Sequence, residues 1–522
     1  MTSQREAVRS NAKYLRNVRP IDPEEICTYI EGEPHPAVVR QLLREEALDL
    51  GLIERDDGTF VPAGEDPIPP RSPGTDDRKI VERLPDRYSN RLEDLLVERY
   101  GVNWHEGPSG DLLRSTIRRF KAQYLERQDV TYDDDVAAGY ALYHLPGYYA
   151  AIQYALDYLL EQGLLDRQLR VLDIGAGTGG PALGLCDVLP SDGLLEYHAV
   201  EPGAGAAILE GLLEETGRNV HPTIHQEPIE SFDPPNIDER GFDLILVCNV
   251  LSELKDPERT LRRALGWLER DGSLLAMAPA DKNASIELRE LERTVEGDQI
   301  KPVFGGEIPD DGTRPVTVYG PTVRLWPGES PSDRGWSFDV KPDLEVPPFQ
   351  QRLQEAAGSS TDVDGTDGDA DPTGGDQDSD TARPDEFINV DVQFSHTIFR
   401  LDGRRRHEGT LEGSARAKMA EMDRHVTNRI DLTAAKLSHS LSEDGDAGPR
   451  GTTPNPLFKI SDGSESVDHY AVLTRETSLN RALLEAEYGE LLAFENALVL
   501  WNDDEGAYNL VVDEETIVDR IG

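Results

Sequence analysis

The residues best able to do chemistry lie in RVLDIGAGTGGPALGL, Arg170 to Leu185. An apolar strand pattern there runs into Asp173, and glycines alternate at Gly175, Gly177 and Gly179. Glycine lets a backbone turn sharply and approach a ligand where a β-carbon would clash. The spacing is G-x-G-x-G, one residue shorter than G-x-G-x-x-G, and a helix follows, a layout suited to a nucleotide-type ligand. Glu201 ends the strand pattern LLEYHAVEPG, 28 residues after Asp173 and 22 after Gly179. An acid at that distance is placed to accept hydrogen bonds from both hydroxyls of a ribose. Glu227, near the end of HPTIHQEPIESF, is the candidate for the adenine side. Asn249 closes the strand portion of FDLILVCNVLSEL; its carboxamide can position an acceptor amine or base edge, or simply tie down a loop.

These residues need a sheet to hold them. FDLILVC is a continuous apolar run, as expected of a strand buried on both faces, and GSLLAMAP is another. Between them RTLRRALGWLERDG reads as an amphipathic helix stopped by glycine. Strands alternating with helical patterns predict an α/β fold with a mostly parallel sheet.

With its acid two residues before the first glycine, D-I-G-A-G-T-G resembles the first motif of class I S-adenosylmethionine-dependent methyltransferases. Two further patterns narrow the likeness. Tyr140, Leu145, Pro146, Tyr149, Ala150 and Ala151 make Y-x-x-x-x-L-P-x-x-Y-A-A, and Val250 to Leu254 make V-L-S-E-L. Over residues 80–280 the chain resembles the methyltransferase-like proteins associated with the mitochondrial small ribosomal subunit and their prokaryotic relatives. The resemblance implies a class I (Rossmann-like) methyltransferase sheet, S-adenosyl-L-methionine as cofactor, and RNA or the small ribosomal subunit as partner. Asp173 and the glycines would hold the methionine end and Glu201 the ribose. Many members carry an iron–sulfur cysteine cluster after the fifth strand. MAPADKNASIELRELERTV has the proline but no cysteine, so no metal site is carried over.

No catalytic base can be named, and Asn249, the candidate for a catalytic role, is not in the N-P-P-Y setting of amino-methylating enzymes. Cys248 lacks the flanking proline and second cysteine of pyrimidine C5 enzymes, and Cys27, Cys186 and Cys248 all read as core residues. The expected activity is methyl transfer to small-subunit ribosomal RNA. The alternatives are a non-catalytic assembly factor on the same scaffold, or a winged-helix regulator with a small-molecule methyltransferase domain.

The chain has 100 acidic and 53 basic residues, a net charge of −47, and only ten of the basic residues are lysine. Acidity spread along an otherwise folded pattern suggests a halophilic, haloarchaeal protein, because at molar salt the Debye length is about 3 Å and self-repulsion is screened. No apolar run approaches the roughly 18 residues of a membrane span and the start is polar and basic, so no membrane partner and a cytoplasmic location are expected.

The expected organisation is as follows. Residues 1–63 are a winged-helix-like domain able to meet DNA or protein, 64–78 a proline-rich linker, and 79–165 a helical region. The methyltransferase core is 166–345, interrupted by an acidic disordered insertion at 346–386 and completed by a strand in 387–403. Residues 404–456 read as helix and linker, and 457–522 as a small C-terminal α+β or β-barrel domain. Basic clusters at Arg5, Arg9, Lys13, Arg16 and Arg19, at Arg114, Arg118, Arg119 and Lys121, and at Arg404 to His407 are candidate phosphate contacts. Tyr470, Trp501 and Tyr508 are candidate base-stacking residues.

Overall fold

The computed structural model describes residues 2–69, 80–128, 131–237, 240–303, 312–329, 335–359, 385–442 and 454–521. Residues 70–78 of the expected linker and 360–384 of the expected acidic insertion lie outside the described residues. The chain divides into two units, Met1–Phe232 with Pro342–Val392, and Asp233–Lys341 with Gln393–Gly522.

The first unit opens with α1 (Thr2–Leu15), α2 (Pro23–Thr28), α3 (Pro36–Glu45), α4 (Ala47–Leu50) and the antiparallel pair β1 (Leu52–Glu54) and β2 (Phe60–Pro62). Asp22 and His35 cap α2 and α3, each followed by a proline whose missing N–H costs nothing at a helix start. Val8, Ala12, Ile26, Val39, Leu43 and Phe60 form its core.

Three longer helices follow: α5 (Asp86–Tyr100), α6 (Gly107–Leu125) and α7 (Asp134–Leu160). The next strands, β3 (Gln168–Ile174), β4 (Leu194–Val200) and β5 (Val220–His225), are parallel, with α8 (Gly180–Val188) and α9 (Gly205–Leu213) as the crossovers. α7 is apolar nearly all round and buried along most of its length, yet contains Pro146. Proline has no N–H for the carbonyl four residues earlier, which here belongs to Leu142. The Nε2 of Gln350 donates to that carbonyl at 2.8 Å, while its Oε1 accepts from the N–H of Asn389 at 3.0 Å. Gln350 sits on a helix, Pro348–Ser359, with Phe349 and Leu353 fully buried. This corrects the reading of 346–386 as disordered from its start. Apolar anchors and a buried glutamine hold the first dozen residues in the fold.

The second unit carries β6 (Phe242–Cys248) parallel to β7 (Leu268–Pro279). β8 (Thr317–Gly320) and β9 (Val392–Arg400) extend that sheet antiparallel in the order β8–β9–β7. α10 (Pro257–Leu265) and α11 (Lys282–Val295) start on Asp256 and Asp281 caps. α11 is tied to β9 by Arg289 Nη2 donating to the His396 carbonyl at 2.7 Å and by Ser285 and Ser395, whose hydroxyls are 2.7 Å apart.

In the same unit β10 (Arg429–Lys436), β11 (Leu457–Ser461), β12 (His469–Leu473), β13 (Leu491–Asn502) and β14 (Ala507–Val512) close into a five-stranded barrel. A sixth strand, β15 (Ile517–Arg520), pairs with β13. The expectation of helix and linker over 404–456 is overturned by β10. RIDLTAAK contains helix formers, but its Leu432 and Ala434 point into the barrel core with Phe458, Phe494 and Leu510. Pairing on both sides outweighs local helix propensity. Among the described residues no helix is long and apolar enough to cross a membrane.

Replacing Gln350 by alanine is expected to leave the buried Leu142 carbonyl unpaired and destabilise the protein by about 1–3 kcal/mol. The check is the urea midpoint of the variant at an unchanged m-value.

Candidate functional site

The glycine turn leaves β3 after Ile174. Gly175, Gly177 and Gly179 have φ of 70°, 56° and 94°, the left-handed region that other residues resist. The Gly175 N–H donates to the Val200 carbonyl at 2.8 Å, so the turn is laced to the end of β4. Gly179 caps α8. A β-carbon on Gly177 would meet nothing closer than 4.0 Å, so the turn's surface is open there. A β-carbon on Gly205, at the start of α9, would lie 2.8 Å from the Gly177 carbonyl. That contact packs α9 directly behind the turn.

Asp173 is completely buried at the end of β3. Its Oδ2 accepts a 2.6 Å hydrogen bond from the Tyr197 hydroxyl on β4, and its Oδ1 has no partner among the described residues. Burial pushes its pKa up to about 7, the Tyr197 hydrogen bond pulls the other way, and the nearby Glu201 charge adds to the rise. Glu201, half-buried, reaches back over the turn. Its Oε2 accepts from the Gly177 N–H at 2.8 Å and its Oε1 from the Gly203 N–H at 2.7 Å. The structure therefore brings Asp173, the three glycines and Glu201 together at the ends of β3 and β4, with Glu201 hydrogen-bonded to the turn at Gly177.

Glu227 is outside that set. It stands two residues past β5, half-buried, and makes no hydrogen bond among the described residues. Asn249 belongs to the second unit. It follows β6 with a φ of 57°, and its N–H donates to the Met277 carbonyl at 2.9 Å. Asn249 lines a cavity of about 340 Å³ with Leu251, Ser252, Leu254, Met277 and Leu288. Tyr197 escaped the reading of the sequence, because a tyrosine inside an apolar strand carries no local sign of what it bonds to.

Residues 172–274 match a family model described as "Methyltransferase domain". The chain carries a methyltransferase domain. Its cofactor is S-adenosylmethionine, and the site's geometry fits such a ligand: an open glycine turn over a buried carboxylate oxygen that has no partner among the described residues. On either side of this domain, residues 5–56 and 420–521 match the N-terminal and C-terminal domains of a family of unknown function, DUF8157. The hybrid PKS-NRPS synthetase apdA of Emericella nidulans is 27% identical over 223 residues, 42% of this chain. The polyketide synthase PksM of Bacillus subtilis is 27% identical over 112 residues, 21% of this chain. The chain spans only 5% and 3% of those two proteins. Among solved structures, the mitomycin 7-O-methyltransferase MmcR is 18% identical, with 53% of this chain and 75% of that one covered at a TM-score of 0.22.

The basic clusters flanking the methyltransferase domain are engaged within their own units. Arg5 and Arg9 both pair with Glu46, which is 1% exposed, and Arg19 pairs with Glu25. Arg118 makes two 2.8 Å hydrogen bonds to Glu386, and Arg114 donates to the His105 carbonyl. In the second unit Arg405 faces Glu296, and Arg406 and His407 reach the Gly489 carbonyl. Trp501 and Tyr508 pack edge to face at 4.7 Å, and the indole N–H of Trp501 is bonded to Asp503.

In the folded, ligand-free protein Asp173 keeps its proton to about pH 7, whereas an ordinary aspartate loses it near 3.8. The stability tied to that proton is fully present below pH 3.8 and is lost as pH rises to about 7. Unfolding free energies from urea titrations across this window should fall more steeply for the wild type than for Asp173→Asn, by up to about 1.4 kcal/mol per pH unit.

Proposed function

We propose that this protein transfers a methyl group from S-adenosylmethionine to a small acceptor with an apolar body. The observation that carries the donor half is the unpartnered, fully buried Oδ1 of Asp173 beneath three left-handed glycines. Asp173 accepts hydrogen bonds from the amino-acid end of the donor, while Gly175 and Gly177 let the main chain lie against it. Glu201 takes the ribose hydroxyls, exchanging its hold on the Gly177 and Gly203 N–H groups for them. Glu227 is the residue proposed for the adenine side.

When bound, the donor supplies an activated methyl and a neutral thioether leaving group, so the chain's task is alignment and exclusion of water rather than proton transfer. Tyr197 holds Asp173 in place and favours its ionised form. In the second unit, Asn249 lines a largely apolar cavity of a size for a small molecule. That two of the matched relatives are named as a hybrid PKS-NRPS synthetase and a polyketide synthase supports a small-molecule acceptor.

A second reading, methylation of small-subunit ribosomal RNA by a relative of the ribosome-associated proteins, is favoured by the L-P-x-x-Y-A-A and V-L-S-E-L patterns. Both patterns also have packing roles here. Leu145, Pro146, Tyr149, Ala150 and Ala151 are buried along α7, and Leu251, Ser252 and Leu254 line the cavity.

Calorimetry of the full chain with S-adenosylmethionine, at low and at molar KCl, tests the donor half. Binding is expected, and Glu201→Ala should weaken it roughly 10- to 100-fold, the worth of a charge-assisted hydrogen bond. Affinity should rise with pH through about 7 as Asp173 ionises, and Asp173→Asn should remove that dependence. Absence of binding would leave only a scaffold. Tritiated methyl transfer to small apolar acceptors is expected, and label appearing in ribosomal RNA instead would establish the second reading.

A further inference from the structure

The loop after Glu201 and the first residue of α8, both next to the glycine turn, each touch a tyrosine. At one end, the Tyr132 carbonyl accepts from the Ala204 N–H at 3.4 Å, and a β-carbon on Gly203 would lie 3.2 Å from the Tyr132 Cβ. Gly203 is the residue that donates to Glu201. At the other end, a β-carbon on Gly180, the first residue of α8, would lie 2.8 Å from the Tyr148 Cβ.

Between these two anchors the rings form an unbroken chain. Tyr132 meets Tyr140 edge-on at 5.8 Å, Tyr140 meets His144 at 4.6 Å, and His144 stacks on Tyr148 at 5.2 Å with 10° between planes. Phe120 backs Tyr140 and His144 at 5.9 and 5.8 Å. Tyr132, Tyr140, His144 and Tyr148 are all half-buried, so each keeps part of its surface uncovered. The wall thus runs from the loop after Glu201, whose carboxylate accepts from the Gly177 N–H, to the start of α8, where the turn ends.

Its charge matters as much as its place. Burial, and then the nearby Lys121, push the His144 pKa down to about 3, so the imidazole adds no positive charge. The row itself is thus neutral, with the Lys121 ammonium beside it over the Tyr143 ring at 4.3 Å, and the negative faces of such rings attract a weakly hydrated cation and gain nothing comparable from a neutral thioether.

We propose that the Tyr132–Tyr140–His144–Tyr148 wall recognises the sulfonium charge, so that the site prefers the methyl donor over its demethylated product. This rests on the donor reading above and adds to it a way of limiting product inhibition.

The test is calorimetry of the full chain with three probes: S-adenosylmethionine, S-adenosylhomocysteine, and the charged amine analogue sinefungin. The wild type should bind the two charged ligands about ten-fold more tightly than the neutral one. Tyr140→Leu and Tyr148→Leu should each erode that ratio several-fold while leaving S-adenosylhomocysteine affinity unchanged, which also shows that the variant is folded. Tyr140→Phe keeps the ring and should keep the ratio. Equal weakening of all three ligands would place the wall on the shared adenosyl part and overturn the proposal, as would a wild type that favours the neutral product. If none of the three binds the wild type, the donor reading itself fails and the wall proposal falls with it.

Discussion

The first unit depends on how closely α8 lies against α7. A β-carbon on Gly184 would come within 2.2 Å of the Ile152 Cγ2 and 2.5 Å of the Tyr149 carbonyl, and one on Gly180 within 3.2 Å of the Leu145 carbonyl. Only glycine permits main chain to pack on main chain in this way. α8 begins at the glycine turn, so the position of the turn is inherited from that contact. Hydroxyls lock it laterally. Asp187 on α8 accepts from Tyr149 at 2.8 Å and from Tyr88 at 2.9 Å. Pro146 removes a helix donor in the same stretch, and Gln350 repairs the loss from a distant part of the chain. L-P-x-x-Y-A-A is therefore intelligible as packing chemistry: its tyrosine bonds to α8, its proline calls in Gln350, and its alanines keep the interface thin.

Charge works on a different scale. A net charge of −47 makes any arginine valuable to its own fold, because carboxylates surround it. Glu46 shows the consequence. A buried carboxylate is costly unless paired, and Arg5 and Arg9 pair it from α1. A run of arginines looks like a phosphate-binding stripe when only neighbours in sequence are counted. Glu46, some forty residues away, converts part of it into an internal brace.

The same distinction between near and far decides what could be read from the chain. The glycine turn, Asp173, Glu201 and the buried strands were legible because each is a local pattern: a periodicity, a spacing or a strand end. The helix around Gln350 was not, because its sequence precedes a long acidic run and its reason for folding is a proline some two hundred residues earlier. β10 was not, because its partners β11 and β13 fix its conformation against helix-forming residues. Tyr197 was hidden for a third reason. Its hydroxyl is bonded across two strands whose register aligns Val171 with Tyr197, and a register is not visible in either strand alone.

Asp173 departs from these local rules of stability. A fold selected only for stability would not place a carboxylate in complete burial with one oxygen unsatisfied, since an unpaired buried acceptor costs about 1–3 kcal/mol and a charge more. The protein offers it a single tyrosine hydroxyl and raises its pKa to about 7. Glu201, by contrast, is satisfied by the N–H groups of Gly177 and Gly203, partners that ribose hydroxyls can replace. One acid waits for a partner and the other holds replaceable ones. That asymmetry is what a site built to close around a ligand requires, and it explains why the local rules of stability fail at this turn and hold elsewhere.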